Sequence, residues 1–143
     1  MEWLTTAGAL VSRPLFECPD YDLLADFFDG PPWRVQVKTS TCYRNQRFEV
    51  TLATRGGNQS WNGLVKRLDE SRCDHVFIHV GDGRRWLIPT TDLGGGSGIL
   101  LGGPKYAAYE VESGMPLQAR PKSTDYTRET ARRGSRAVKG IRL

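Results

Sequence analysis

An aspartate, a glutamine and a lysine at positions 22, 36 and 38 are the residues of this chain whose types and spacing could do chemistry. They fall in the run PDYDLLADFFDGPPWRVQVK, residues 19–38, where two apolar stretches flank a Gly/Pro turn from Gly30 to Pro32. In a strand, side chains two apart share a face, so Gln36 and Lys38 point one way while Val35 and Val37 point into the core. If Tyr21 to Phe27 and Arg34 to Ser40 form a hairpin around the turn, Asp22 lies across from Gln36. An acid oxygen, an amide oxygen and an ammonium converging on one sheet face suit a hard divalent cation and a phosphodiester. Each residue also has a plainer reading. Asp22 is then an exposed strand-end acid or turn cap, and Gln36 and Lys38 are the wet face of a half-exposed strand. Asp is disfavoured inside strands, which tilts Asp22 toward a purpose. Asp20, after Pro19, reads as a turn residue.

The elements that must position these residues follow from periodicity and breakers. Glu2 to Ala7 reads as a short helix stopped at Gly8, and Ala9 to Ser12 as a strand. After the hairpin, Asn45 marks a turn into a strand from Phe48 to Leu52, where Phe48, Val50 and Leu52 alternate with Glu49 and Thr51. Gly56 to Ser60 is a polar loop, and Ser60 caps a segment with Trp61, Leu64, Val65 and Leu68 at helical spacing. His75 to Val80 returns as a buried strand, turns at Gly81-Asp82-Gly83 and pairs with Arg84 to Ile88. Gly94 to Gly96 is a loop, followed by short strands near Ile99 to Leu101 and Tyr109 to Val111. Strands outnumber helices in this order, so the fold class is α+β or mixed α/β.

Composition bounds the rest. A chain of 143 residues with 38% hydrophobic residues holds one domain with a proper core. No apolar run approaches the roughly 20 residues of a membrane helix and no signal pattern opens the chain, so a cytoplasmic location is expected. Three cysteines without CxxC spacing argue against a disulfide framework. Cys73, His75 and His79 alternate along one strand, but three ligands on a flat strand do not close a tetrahedron. His75 and His79 read instead as the less apolar face of HVFIHV.

Charge is concentrated at one end. Residues 1–111 hold 12 Lys/Arg against 13 Asp/Glu, whereas residues 112–143 hold 8 against 3. With Pro116, Pro121, Gly134 and Gly140 and few large apolar groups, residues 112–143 read as a basic, disordered tail, and such arms track phosphate backbones. A merely solubilising tail has the same composition.

The Asp22, Gln36 and Lys38 spacing resembles the PD-(D/E)xK nuclease superfamily, in which an Asp closes one strand and a D/E/Q-x-K triplet lies on the next. It is most similar to the branch typified by group I intron-associated homing endonucleases, whose second motif carries Gln. RRWLIP at Arg84 to Pro89 and GGPKYAAYEV at Gly102 to Val111 extend the resemblance over roughly residues 1 to 111.

The resemblance implies a restriction-endonuclease-like αβββαβ core with a central mixed sheet. It further implies Mg²⁺-dependent (or Mn²⁺-dependent) hydrolysis of DNA. Asp22 and Gln36 would hold the ion, Lys38 would act on the attacking water, and a homodimer or homotetramer would form, since one site cuts one strand. Glu2 corresponds loosely to the helical Glu that binds or orients a second ion, and Glu49 is a fallback acid. Arg44, Arg47, Arg55, Asn58 and Gln59, in loops flanking the Phe48 strand, have the chemistry to contact phosphates or base edges. Two other classes share these residues: a nuclease-fold DNA-binding protein without catalysis, and a junction or repair nuclease.

Overall fold

A computed structural model describes residues 1–16, 20–55 and 65–117. Its centre is a six-stranded mixed sheet in the order β1 (Leu10–Ser12), β2 (Leu23–Asp26), β3 (Trp33–Ser40), β8 (His75–Val80), β9 (Arg85–Pro89), β11 (Glu110–Val111). Only the central pair, β3 and β8, runs parallel; every other neighbour is antiparallel. The chain between that pair forms β4 (Tyr43–Arg44) and β5 (Arg47–Thr51), which join β10 (Gly98–Leu101) in a second sheet ordered β10-β5-β4. This three-stranded layer was not legible in the sequence, which gives the Phe48 strand no partner.

Register assigns the faces of the large sheet. Gln36 and Lys38 lie beside Val76 and Ile78, while Val35 and Val37 lie beside His75 and Phe77. Val76, Ile78, Val80, Trp86 and Ile88 pack with Phe48, Val50, Ile99 and Leu101 of the small sheet into one core. The opposite face gathers Leu23, Ala25, Val35 and Phe77 with Leu4 of helix α1 (Glu2–Thr6). The helix ends as expected before Gly8, whose φ of +99° suits glycine. The α+β sheet class thus holds.

Two expectations of local structure fail. Val65–Lys66 is not helical but forms β7, paired antiparallel with Thr54–Arg55 (β6), so its backbone groups are spent on a ladder that excludes the i to i−4 bonds of a helix. Trp61 and Leu64, like Ser60, lie outside the described residues. A 3-10 turn over Pro104–Tyr109 also replaces the start of the strand expected at Tyr109.

The β4–β5 hairpin closes through Asn45 and Gln46, with φ of 50° and 61°. Positive φ at both central residues marks the primed turn whose twist matches the strands, and Asn accepts it better than Gln. Gln46→Gly is therefore expected to stabilise the protein by about 0.5–1 kcal/mol, read as a higher urea midpoint at unchanged m-value. A lower midpoint would show that the turn is not strained at Gln46.

Residues 112–117 belong by composition to the tail, yet they lie against the sheet. Gly114 N–H donates to the Gly83 carbonyl (2.7 Å), Leu117 N–H to the Gly81 carbonyl (3.2 Å), and His79 Nε2 meets the Met115 carbonyl at 2.8 Å. The fit is close, because a Cβ on Gly83 would stand 2.4 Å from the Gly114 oxygen.

Candidate active site

Asp22 immediately precedes β2, whose ladder with β3 runs from Ala25↔Trp33 to Leu23↔Val35. There the chain turns its side chain into the ladder. Asp22 N–H donates to the Val35 carbonyl at 3.0 Å, and Asp22 Oδ2 accepts the Val37 N–H at 2.7 Å. Val37 is the residue between Gln36 and Lys38, so the acid is held at the strand edge beside the two side chains that share a face. A carboxylate bonded to a backbone N–H is fixed in direction, and its second oxygen remains available. The hairpin expectation is met here.

Asp20 is used otherwise. Its carboxylate forms an ion pair with Arg72 at 3.1 Å, so the Asp of the literal PD is neutralised while Asp22 faces β3.

Gln36 is 6% exposed. It is thus not part of a wet strand face, the plainer reading of alternation. Lys38 is half-buried, and loss of solvation lowers its pKa, opposed by the attraction of Asp22 and Cys73. Next to them on β3, Arg34 makes a two-pronged bond to Asp74, Nε to Oδ2 at 3.0 Å and Nη2 to Oδ1 at 2.8 Å. The pair holds Asp74 below the usual carboxylate range and keeps a cation of β3 out of the site. Sequence reading missed this clamp, since Asp74 lies 40 positions from Arg34.

Glu2 is not brought to this group. It reaches Arg85 at 3.5 Å, and Arg85 stands opposite His79 on the face covered by α1, away from Gln36 and Lys38. Glu49 points outward from β5, where the Cys42 thiol lies 3.7 Å from its Oε2. Arg44 and Arg47 face each other across the hairpin and are exposed. Arg55 has a described backbone in β6, and Asn58 and Gln59 lie outside the described residues. Cys73 is buried, its thiol pushed up to about 11 by desolvation, and it donates to the Arg34 and His75 carbonyls. His75 stacks on Trp33 with ring centres 4.2 Å apart.

The donors at the strand edge are a carboxylate oxygen and an amide oxygen, which fit a hard divalent cation better than a soft one. Among the described residues no group of three or more His, Cys, Asp or Glu forms a cage. An ion here would therefore draw its remaining ligands from water and from a bound phosphate. The chemistry of the donor set matches Mg²⁺, which keeps much of its hydration shell.

The fold is shared with a solved bacterial homing endonuclease, I-Ssp6803I, at a TM-score of 0.50 and 21% identity over 98% of this chain and 88% of that one. No family model and no curated protein matches the sequence. The chain therefore has a homing-endonuclease-like mixed sheet. Among the described residues no helix is long and apolar enough to cross a membrane.

Proposed function

We propose that this chain is a metal-dependent DNA endonuclease of PD-(D/E)xK type, with a restriction-endonuclease-like αβββαβ core and a Q-x-K second motif. The observation that carries the reading is the bond from Val37 N–H to Asp22, which sets the acid beside Gln36 and Lys38 on β3. Asp22 and Gln36 would hold Mg²⁺ or Mn²⁺, which would supply Lewis-acid polarisation of the phosphodiester and a lower pKa for its water. Asp22 contributes the single negative charge, and Val37 fixes its direction. Lys38, with its pKa lowered by burial, takes the proton of the attacking water or offsets charge on the phosphate. Function as a homodimer or homotetramer is part of the proposal, because one site cuts one strand.

The test is nicking of supercoiled DNA by pure protein with Mg²⁺, Mn²⁺ or EDTA. Nicking with either ion and none with EDTA is expected. The second reading is a DNA-binding protein with the same fold and no catalysis. The displacement of Glu2 to Arg85 favours it, since it leaves Asp22 as the acid at the strand edge. Tight DNA binding without nicking in any ion would decide for it. A junction or repair nuclease would instead cut branched duplexes in preference to linear ones.

Gln36→Glu separates the metal from the fold. A carboxylate at a buried position costs about 1–3 kcal/mol unless it is paired. The variant is expected to melt lower than the parent in EDTA and to recover in Mg²⁺, with tighter Mg²⁺ binding by calorimetry. Equal melting in EDTA and Mg²⁺ would mean that Gln36 does not face the ion.

A further inference from the structure

The outward face of the small sheet has no role in the chemistry above. Along β5, Phe48 and Val50 are buried, while Arg47, Glu49 and Thr51 point to solvent. On the flanking strands, Arg44 stands opposite Arg47, Leu100 opposite Glu49 and Gly98 opposite Thr51. This face floors a groove of about 990 Å³ whose lining includes Arg47, Glu49, Thr51, Gly94, Gly96 and Lys105.

A Cβ on Gly98 would sit 3.0 Å from the Val50 oxygen, and Gly94 and Gly95 adopt φ of +70° and +67° with nothing near a Cβ. Arg47 is directed by Gly103, where a Cβ would come within 2.6 Å of its Cζ.

Arg34, Arg72, Arg84 and Arg85 are each matched to an acid. Among the described residues, Arg44, Arg47 and Lys105 make no such pair, and neither do Arg13, Lys38 and Arg67 elsewhere; what sets this face apart is that Arg44 and Arg47 stand directly opposite each other. Two arginines directly opposite on a ladder repel each other, and an anion between them removes that cost. Phosphates are the anions such a row accepts, and a β-ribbon is of a width to enter the major groove. A carboxylate at Glu49, two residues from Arg47 on the same face, repels phosphates. Facing a base edge, it instead accepts a hydrogen bond from the amino group of cytosine, N4, or adenine, N6.

We infer that the outer face of the small sheet is the base-reading surface for duplex DNA, with Arg44, Arg47 and Lys105 on phosphates and Glu49 selecting a base that carries an exocyclic amino group. The inference rests on DNA being the substrate, as proposed above, and names how it is read.

The test selects duplexes from a randomised pool in EDTA, so that cleavage is not required, using the full-length protein and its Glu49→Leu, Arg44→Ala and Arg47→Ala variants. Leucine removes the acceptor, whereas glutamine would keep an amide oxygen able to accept from the same amino groups. Wild type is expected to require cytosine or adenine at one position. E49L should relax that position by about 10–100-fold, in keeping with about 1–3 kcal/mol for a good base contact, and bind other sequences as well or better. R44A and R47A should each flatten the salt slope of log K by about 0.9 without changing the preferred sequence. Unchanged preference in E49L overturns the inference, as does a wild type that selects no sequence. E49L with unaltered preference and lost cleavage in a parallel Mg²⁺ assay would place Glu49 in the reaction instead. Selection by wild type with no metal-dependent cutting of the selected duplex would defeat the nuclease reading and leave this surface standing.

Discussion

Replacing Lys38 by methionine is expected to abolish nicking while making the protein more stable. The lysine stands half-buried on β3 and its ammonium is desolvated, so the fold bears a cost for holding a charge there. Methionine matches its length without the charge. The expected result is a higher urea midpoint for K38M than for the parent protein, since relieving a strained functional position commonly raises stability at the expense of activity. A positioned proton-transfer group contributes about 10²–10⁴-fold, so nicking should fall by that factor in K38M and K38A alike.

The sign of the pH dependence follows from the same burial. Desolvation lowers the folded-state pKa of Lys38 below its unfolded value, so the unfolded chain binds more protons and stability rises with pH as Lys38 titrates. The neutral amine grows over the same interval, and a nicking rate that depends on it climbs with pH. Lys38→Arg keeps the charge and cannot lose its proton. If Lys38 is the base, K38R is inactive and flat with pH; if it only offsets phosphate charge, K38R retains part of the rate. Full activity in a folded K38M protein would remove Lys38 from the reaction altogether.

What could be read from the residues was the part governed by period and local turns. Alternation put Gln36 and Lys38 on one face, and the ladder with β8 agrees, because the period of a strand leaves no other choice. The Gly30 to Pro32 turn set β2 against β3, and the acid at position 22 fell beside Val37 as the hairpin requires. Alternation does not say what is laid over each face. Gln36 therefore looked half wet in sequence and is buried in the structure. Helical spacing of Trp61, Leu64, Val65 and Leu68 likewise failed at Val65, since four apolar residues at that spacing do not reveal whether a β6 partner will claim the backbone. The Arg34 to Asp74 clamp and the direction of Glu2 depend on chain segments brought together by the parallel β3–β8 pairing, a contact no local pattern encodes. Residues 112–117 were misleading for a related reason. Pro116 read as tail composition, whereas the neighbouring Gly114 is what allows the chain to pass close against Gly83 and Arg85.

That strap makes the point of truncation decisive. Ending the chain after Leu117 is expected to leave melting unchanged and to weaken DNA binding, whereas ending it after Val111 should do both kinds of damage. Residues 118–143 carry eight Lys/Arg against two Asp/Glu, the chain's one concentrated positive charge. Each duplex phosphate that is no longer neutralised reduces the salt slope by about 0.9, so removal of this segment should flatten the slope by a few units. The preferred sequence should stay the same, because phosphate contacts position and base contacts specify. Removing residues 112–117 as well deletes the bonds to Gly81, Gly83 and His79 and lifts the cover from Arg85, whose Nε is buried without a partner. At about 0.5–1.5 kcal/mol per bond, partly offset by rehydration of the guanidinium, the destabilisation is about 2 kcal/mol. For a domain of this size that is a fall in Tm of about 5–10 °C. Equal melting of the two truncations would show that the strap adds nothing to the fold. Full affinity and an unaltered salt slope after removal of residues 118–143 would show that the basic segment does not touch DNA.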